Sequence, residues 1–123
     1  MKPVPMRPLI LASLLLLVAC TKLPLAMPSG TPVSIAVQRS PEESQKFELP
    51  PDSAKYHQLE EWLSNNQYGW SHYLATTPGN GIYVSLPTGR LQFIGSLALA
   101  CPADGACLQK AAKYSEYSFL EKP

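Results

Sequence analysis

Residues 9–19 form an apolar run broken only by Ser13, and that run limits what the rest of the chain can become. Eleven residues are too few to cross the hydrocarbon core of a bilayer, about 30 Å thick, which takes roughly 18 or more. The preceding residues carry Lys2 and Arg7 and no acidic side chain. A short basic stretch followed by a short apolar one has the pattern of a secretory signal, not of a permanent span or a buried core helix. The folded part of the chain is therefore expected after residue 19, in roughly a hundred residues, room for one domain.

The run ends in Leu17-Val18-Ala19-Cys20, which resembles the lipobox of bacterial lipoproteins. The resemblance covers the first twenty residues and implies cleavage before Cys20, a diacylglycerol thioether on its sulfur and, usually, acylation of the new amino group. The membrane, held through that lipid, is thus the first expected partner. Each buried methylene contributes about 0.8 kcal/mol, and a single acyl chain holds only reversibly, whereas two or three make release negligible. In such lipoproteins an Asp after the cysteine is associated with inner-membrane retention. Thr21 at that position therefore implies an outer-membrane location facing the periplasm.

Loss of the leader removes two of the ten basic residues and leaves eight against nine acidic ones. A chain so near neutrality has no nucleic-acid footprint and no polybasic stripe for anionic lipid. Its partners are not selected by bulk charge.

Seven of the thirteen prolines lie at or before Pro41, so residues 20–48 are expected to be a lipidated N-terminus and a semi-extended tether. One interruption, Val33-Ser34-Ile35-Ala36-Val37, alternates as a short strand would. After Pro50-Pro51 a helix is expected, with Asp52 or Ser53 at its N-cap. Tyr56, Leu59, Trp62 and Leu63 recur on one stripe, and Asn65-Asn66 with Gly69 ends the pattern. Beyond it, residues 70–76, 82–86, 91–100 and about 107–112 read as antiparallel strands, joined by turns at 78–81, 87–90 and 102–105. The expected architecture is α+β: one helix packed on a small antiparallel β-meander, spanning residues 49–123. A domain of that size buries only about 60% of its unfolded surface, so a covalent staple would matter.

Two cysteines remain once Cys20 is lipidated. Cys101 and Cys107 flank five residues that can turn a hairpin, and export would place them in an oxidising compartment, where such a pair closes. The closed loop stabilises by roughly 2 kcal/mol on the chain-entropy model. A free reduced pair, a redox pair and a metal site are the alternatives, but the spacing is not C-x-x-C and no cysteine or histidine cluster completes a zinc set.

Other chemistry is thin. His57 has Glu61 one turn on, the spacing of a solvated ion pair. His72 lies on an expected strand with no nucleophile motif in the chain to serve. No catalytic residue, cofactor or metal ligand set is expected. With four-residue turns, Tyr73, Ala75, Ile82, Val84, Leu86, Leu91, Phe93, Leu97 and Leu99 share the sheet face that receives the helix. Trp70, His72, Leu74, Tyr83 and Ile94 then fall on the opposite face. Either that face is open and binds a protein partner or a second copy, or it is covered by residues 33–37 or by the tail bearing Tyr114, Tyr117, Phe119 and Leu120. A one-residue slip in register would reverse every side chain.

The function expected from these features is a membrane-anchored envelope lipoprotein with a non-enzymatic structural or protein-binding role. The alternative is a periplasmic inhibitor or immunity lipoprotein directed at a toxin or a lytic enzyme. Asn80-Gly81-Ile82-Tyr83 is similar to the Ser-Gly-x-x-Tyr motif of lipoprotein lysozyme inhibitors. It departs at the serine and is one residue short, and the leading helix is foreign to that fold, so no residue role is carried over.

Overall fold

The computed structural model describes residues 21–123; the expected leader at 1–19 and its Cys20 lie outside them. The described chain folds into one antiparallel sheet with two helices. In chain order the elements are β1 (Val33–Gln38), β2 (Ser44–Leu49), α1 (Ala54–Asn65), β3 (Ser71–His72), β4 (Gly81–Leu86), β5 (Gly89–Ile94), β6 (Leu97–Pro102), β7 (Leu108–Ala111) and α2 (Tyr114–Tyr117), with a 3-10 turn at Ser118–Leu120. The spatial order is β2-β1-β4-β5-β6-β7-β3.

Helix α1 begins where the sequence places it. Ser53 is the cap: its backbone is extended and its hydroxyl accepts from the Tyr56 N–H at 3.2 Å. At the other end the Asn66 and Gln67 side chains donate to the Trp62 and Leu63 carbonyls at 2.7 and 2.8 Å, closing two of the four carbonyls that a helix end leaves open. The expected stripe of Tyr56, Leu59, Trp62 and Leu63 is buried.

That stripe packs on a front face made by alternate residues. Val33, Ile35 and Val37 of β1, Ile82, Val84 and Leu86 of β4, and Leu91 and Phe93 of β5 are all buried there. The rings interlock at the centre. Trp62 meets Phe93 edge-on at 4.8 Å, Phe93 stacks on Tyr117 at 4.8 Å, and Trp62 meets Trp70 edge-on at 6.2 Å. Pairs of this kind add about 0.5–1.5 kcal/mol each beyond the area they bury. Tyr117 and Leu120 bring the C-terminal segment into the same layer.

Four expectations change. The sheet does not begin at residue 49: β1 is an internal strand and β2 lies beside it. Three buried aliphatic side chains on one face outweigh the tether-like composition around them, so residues 33–49 belong to the folded unit. Even residues 21–28 are held: Leu23 and Leu25 are buried, the Leu23 N–H donates to the Gln67 carbonyl at 2.7 Å, and the Tyr56 hydroxyl donates to the Pro28 carbonyl at 2.9 Å.

The second change is at residues 70–76. Only Ser71–His72 is a strand, and it pairs with β7 at the far edge instead of with β4. Residues 73–80 then cross the sheet to reach β4. Third, residues 91–100 are two strands, because Gly95, at φ +59°, reverses the chain with Ser96. An unsubstituted residue in a left-handed conformation is what such a turn needs, and the Gly-Ser dipeptide inside an apolar run was its signal. The reversal puts Leu99 opposite Gln92, on the back face, so Leu97 and Leu99 do not join the front face.

Fourth, the β4–β5 hairpin is tighter than expected. Leu86 pairs with Gly89 across Pro87-Thr88, and Leu91 pairs with Val84. The shift is of even parity, so side chains keep their faces. Gly89 is required by close approach: a Cβ there would meet the Cys101 carbonyl oxygen, come within 2.7 Å of the Pro102 Cα and within 2.9 Å of the Leu25 Cδ2. The disulfide between Cys101 and Cys107 is formed, with S–S 2.12 Å, and ties the end of β6 to the start of β7.

Candidate functional site

The five residues expected on a binding face are not brought together. Trp70 is 2% exposed; its indole N–H donates to the Asn66 carbonyl at 2.6 Å and its ring abuts Trp62, on the front side. His72 ends the edge strand β3, and Leu74, just beyond it, is 95% exposed. Tyr83 and Ile94 alone share the back face of the sheet. The face failed as a unit because the chain after Trp70 pairs with β7 at the far edge of the sheet instead of forming a hairpin with β4.

The crossing segment occupies the back face itself. Gln92, fully buried on β5, donates from its amide nitrogen to the Pro78 carbonyl at 2.9 Å and the Asn80 carbonyl at 2.7 Å. It also reaches the Tyr83 hydroxyl at 3.2 Å, which in turn donates to Pro78 at 3.0 Å. Leu99, beside Gln92 on β6, is fully buried too. Neither β1 nor the C-terminal tail covers this face, as the two alternatives supposed; residues 78–80 do.

The open surface lies instead at the end of the sheet where the β1–β2 turn, the β5–β6 turn and α2 converge. A groove of about 730 Å³ there is lined by Arg39, Ile82, Phe93, Ile94, Lys113 and Tyr114 among others. Tyr114 is 53% exposed and meets Tyr117 edge-on at 5.5 Å. Its phenol is held above the usual tyrosine range, first by a hydrogen bond with the Glu121 carboxylate and then by desolvation. The Tyr117 phenol is pushed up by burial, with the Glu121 charge adding to it, and donates to the Gly95 carbonyl at 2.5 Å. Tyr114 alone of the two presents its ring to solvent.

Helix α2 is fixed by one carboxylate. Glu116 accepts from the Lys113 N–H at 2.8 Å and from the Trp62 indole N–H at 3.1 Å, so the groove wall is tied to the aromatic core. Arg39 lies 3.9 Å from Glu43 across the β1–β2 turn. The sequence marked Tyr114 and Tyr117 as a docking tail; the structure separates them, one into the core and one onto the surface. Arg39 and Lys113 gave no signal, since only the fold brings residues so distant in the chain to one rim.

The remaining polar side chains have plain roles. His57 Nδ1 lies 2.9 Å from Glu60 Oε1 on the exposed side of α1, one position earlier than the Glu61 partner expected. His72 is exposed on β3. Among the described residues no three histidine, cysteine or acidic side chains group as metal ligands, and no helix is long and apolar enough to cross a membrane. No protein family, curated protein or solved structure matches the chain.

Proposed function

We propose that the chain is a lipid-anchored protein of the bacterial cell envelope, outer-membrane and periplasm-facing, whose folded module has a non-enzymatic, protein-binding role. The observation that carries the reading is the Cys101–Cys107 disulfide. Such bonds persist in exported proteins and are rare where cytosolic thiols are kept reduced. It agrees with a leader that ends in Leu17-Val18-Ala19-Cys20 and leaves Cys20 as the one cysteine outside the pair.

The contact surface in this reading is the Tyr114 groove, and its occupant is a segment of another polypeptide. An exposed aromatic ring beside apolar lining residues, rimmed by Arg39, Lys113 and Glu121, has the make-up of a protein interface: aromatic side chains toward the centre, charge at the edge. Both signs of charge on one rim suit a polypeptide better than a uniformly charged ligand.

The packing of Leu23 also alters the meaning of the anchor. Cys20 precedes this buried residue by three positions, and an extended chain spans at most about 3.5 Å per residue. In this reading the module is held within about 10 Å of its lipidated cysteine, where a leash of roughly thirty residues would let it roam. Radiolabelled palmitate is expected to mark the mature protein, and Cys20→Ser to abolish both label and membrane fractionation; an unlabelled product that still sediments with membranes would overturn the anchor. A photocrosslinking residue at position 114 is expected to capture a polypeptide in intact cells. Loss of that adduct on Arg39→Glu supports the groove, and an adduct-free result removes it.

A further inference from the structure

Strand β2 closes one side of the sheet, and among the described residues nothing pairs with its outer edge. The geometry of that edge is determined. The Arg39 N–H donates to the Glu43 carbonyl at 3.0 Å, and hydrogen-bonded pairs alternate along an antiparallel ladder. Gln45, Phe47 and Leu49 therefore turn their main-chain groups inward, toward Val37, Ile35 and Val33. Ser44, Lys46 and Glu48 turn theirs outward. An exposed edge of this kind is a template for another strand.

We infer that β2 pairs antiparallel with β2 of a second copy of this chain, about a two-fold axis through Phe47, with each Lys46 opposite the other copy's Glu48. Charge selects both the partner and the register. Charged side chains commonly guard an edge against pairing, and these do so against the most direct self-pairing, which sets Lys46 against Lys46. Moving the register by two residues places Lys46 against Glu48 twice, and opposite charges directly across a ladder are favourable where like charges are not. In that register the outward-turned residues meet each other, so each Lys46–Glu48 pair exchanges both main-chain bonds.

The side chains agree with the same register. Lys46 and Glu48 are exposed on the back face. Phe47, half-buried against the front core, comes opposite its own counterpart and extends the front aromatic layer across the axis. Pro50, lacking an N–H, falls opposite Ser44 and ends the ladder. An isologous contact of this sort closes on itself and makes a dimer, not a fibre. The inference uses a different surface from the Tyr114 groove and does not depend on it.

The test uses the full mature chain in detergent or reconstituted in phosphatidylcholine vesicles, with mixed nitrogen-14 and nitrogen-15 copies. Zero-length carbodiimide crosslinking is expected to join Lys46 of one copy to Glu48 of the other, seen as a mixed-isotope peptide. Lys46→Glu and Glu48→Lys alone should each cut the dimer yield by tenfold or more. Mixing the two single variants, or combining both changes in one chain, should restore it. Lys46→Pro removes an outward N–H while sparing the bonds to β1, and should abolish the dimer in a chain whose circular dichroism is unchanged. A dimer that survives Lys46→Pro, swaps that fail to rescue one another, or a Lys46 crosslink only to a different polypeptide would each overturn the proposal.

Discussion

The two faces of the sheet are held by different physics. The front face is hydrocarbon against hydrocarbon: β1, β4 and β5 present alternate aliphatic and aromatic residues, and α1, Tyr117 and Leu120 close over them. The back face is held at one polar point, where Gln92 binds the carbonyls of a crossing segment that has no regular structure there. Its amide oxygen is buried with no hydrogen-bond partner. The front face gains stability from area. The back face gains position, because a directional bond fixes where residues 78–80 lie, and Asn80 in turn lines the groove.

This contrast is open to direct attack. Phe93→Ala should have the largest effect, since it removes the ring shared by Trp62 and Tyr117 and leaves a cavity. A loss of about 3–5 kcal/mol is expected in urea unfolding, and a loss below about 1 kcal/mol would mean that the front layer is not the main source of stability. Gln92→Leu should cost less, about 1–3 kcal/mol, for the two hydrogen bonds to the Pro78 and Asn80 carbonyls that it removes. Its signature is local: amide exchange should speed up at Asn80 and Gly81 while α1 stays protected. Uniform acceleration across the chain would show that the crossing segment is not held by this amide.

The smallest effect tests one polar contact of the front layer, the bond from the Tyr117 hydroxyl to the Gly95 carbonyl. The Tyr117 phenol has its ionisation raised in the folded state by burial and by Glu121, so the folded chain holds that proton more tightly than the unfolded chain does. Its contribution is fully present below the unfolded value, near pH 10. It is lost as pH rises from there through the folded value. Tyr117→Phe should cost about 1 kcal/mol at neutral pH, for the bond to Gly95, and should flatten the alkaline fall in stability relative to the parent chain. Parallel alkaline curves for the two proteins would show that the hydroxyl is not buried in this contact.

Local chemistry was legible wherever one element could declare itself. The α1 stripe, its start after Pro50-Pro51, the inward residues of β4 and β5, and the closure of Cys101 on Cys107 all follow from spacing along a few residues. What failed depended on neighbours distant in the chain. Residues 33–49 resemble a linker in composition, yet Val33, Ile35 and Val37 meet a matching row on β4, and the burial of that row outweighs the prolines around it. Trp70 looked like a surface anchor because the next strand was expected beside it.

The candidate site shows the same limit more sharply. Tyr114 and Tyr117 are three residues apart and chemically alike, and no local rule says which is buried. Docking of α2 decides it, through Glu116 on Trp62 and Phe93 beneath Tyr117.

The sequence by itself determined the helix, the alternation of the central strands and the cysteine pairing, because each depends on periodicity or on a loop only a few residues long. The tertiary structure alone decided that β1 lies inside the sheet, that residues 73–80 cross it, and which tyrosine faces solvent. Strand order and face assignment are set by which apolar rows find each other across the whole fold, and that comparison of distant surfaces has no local signature.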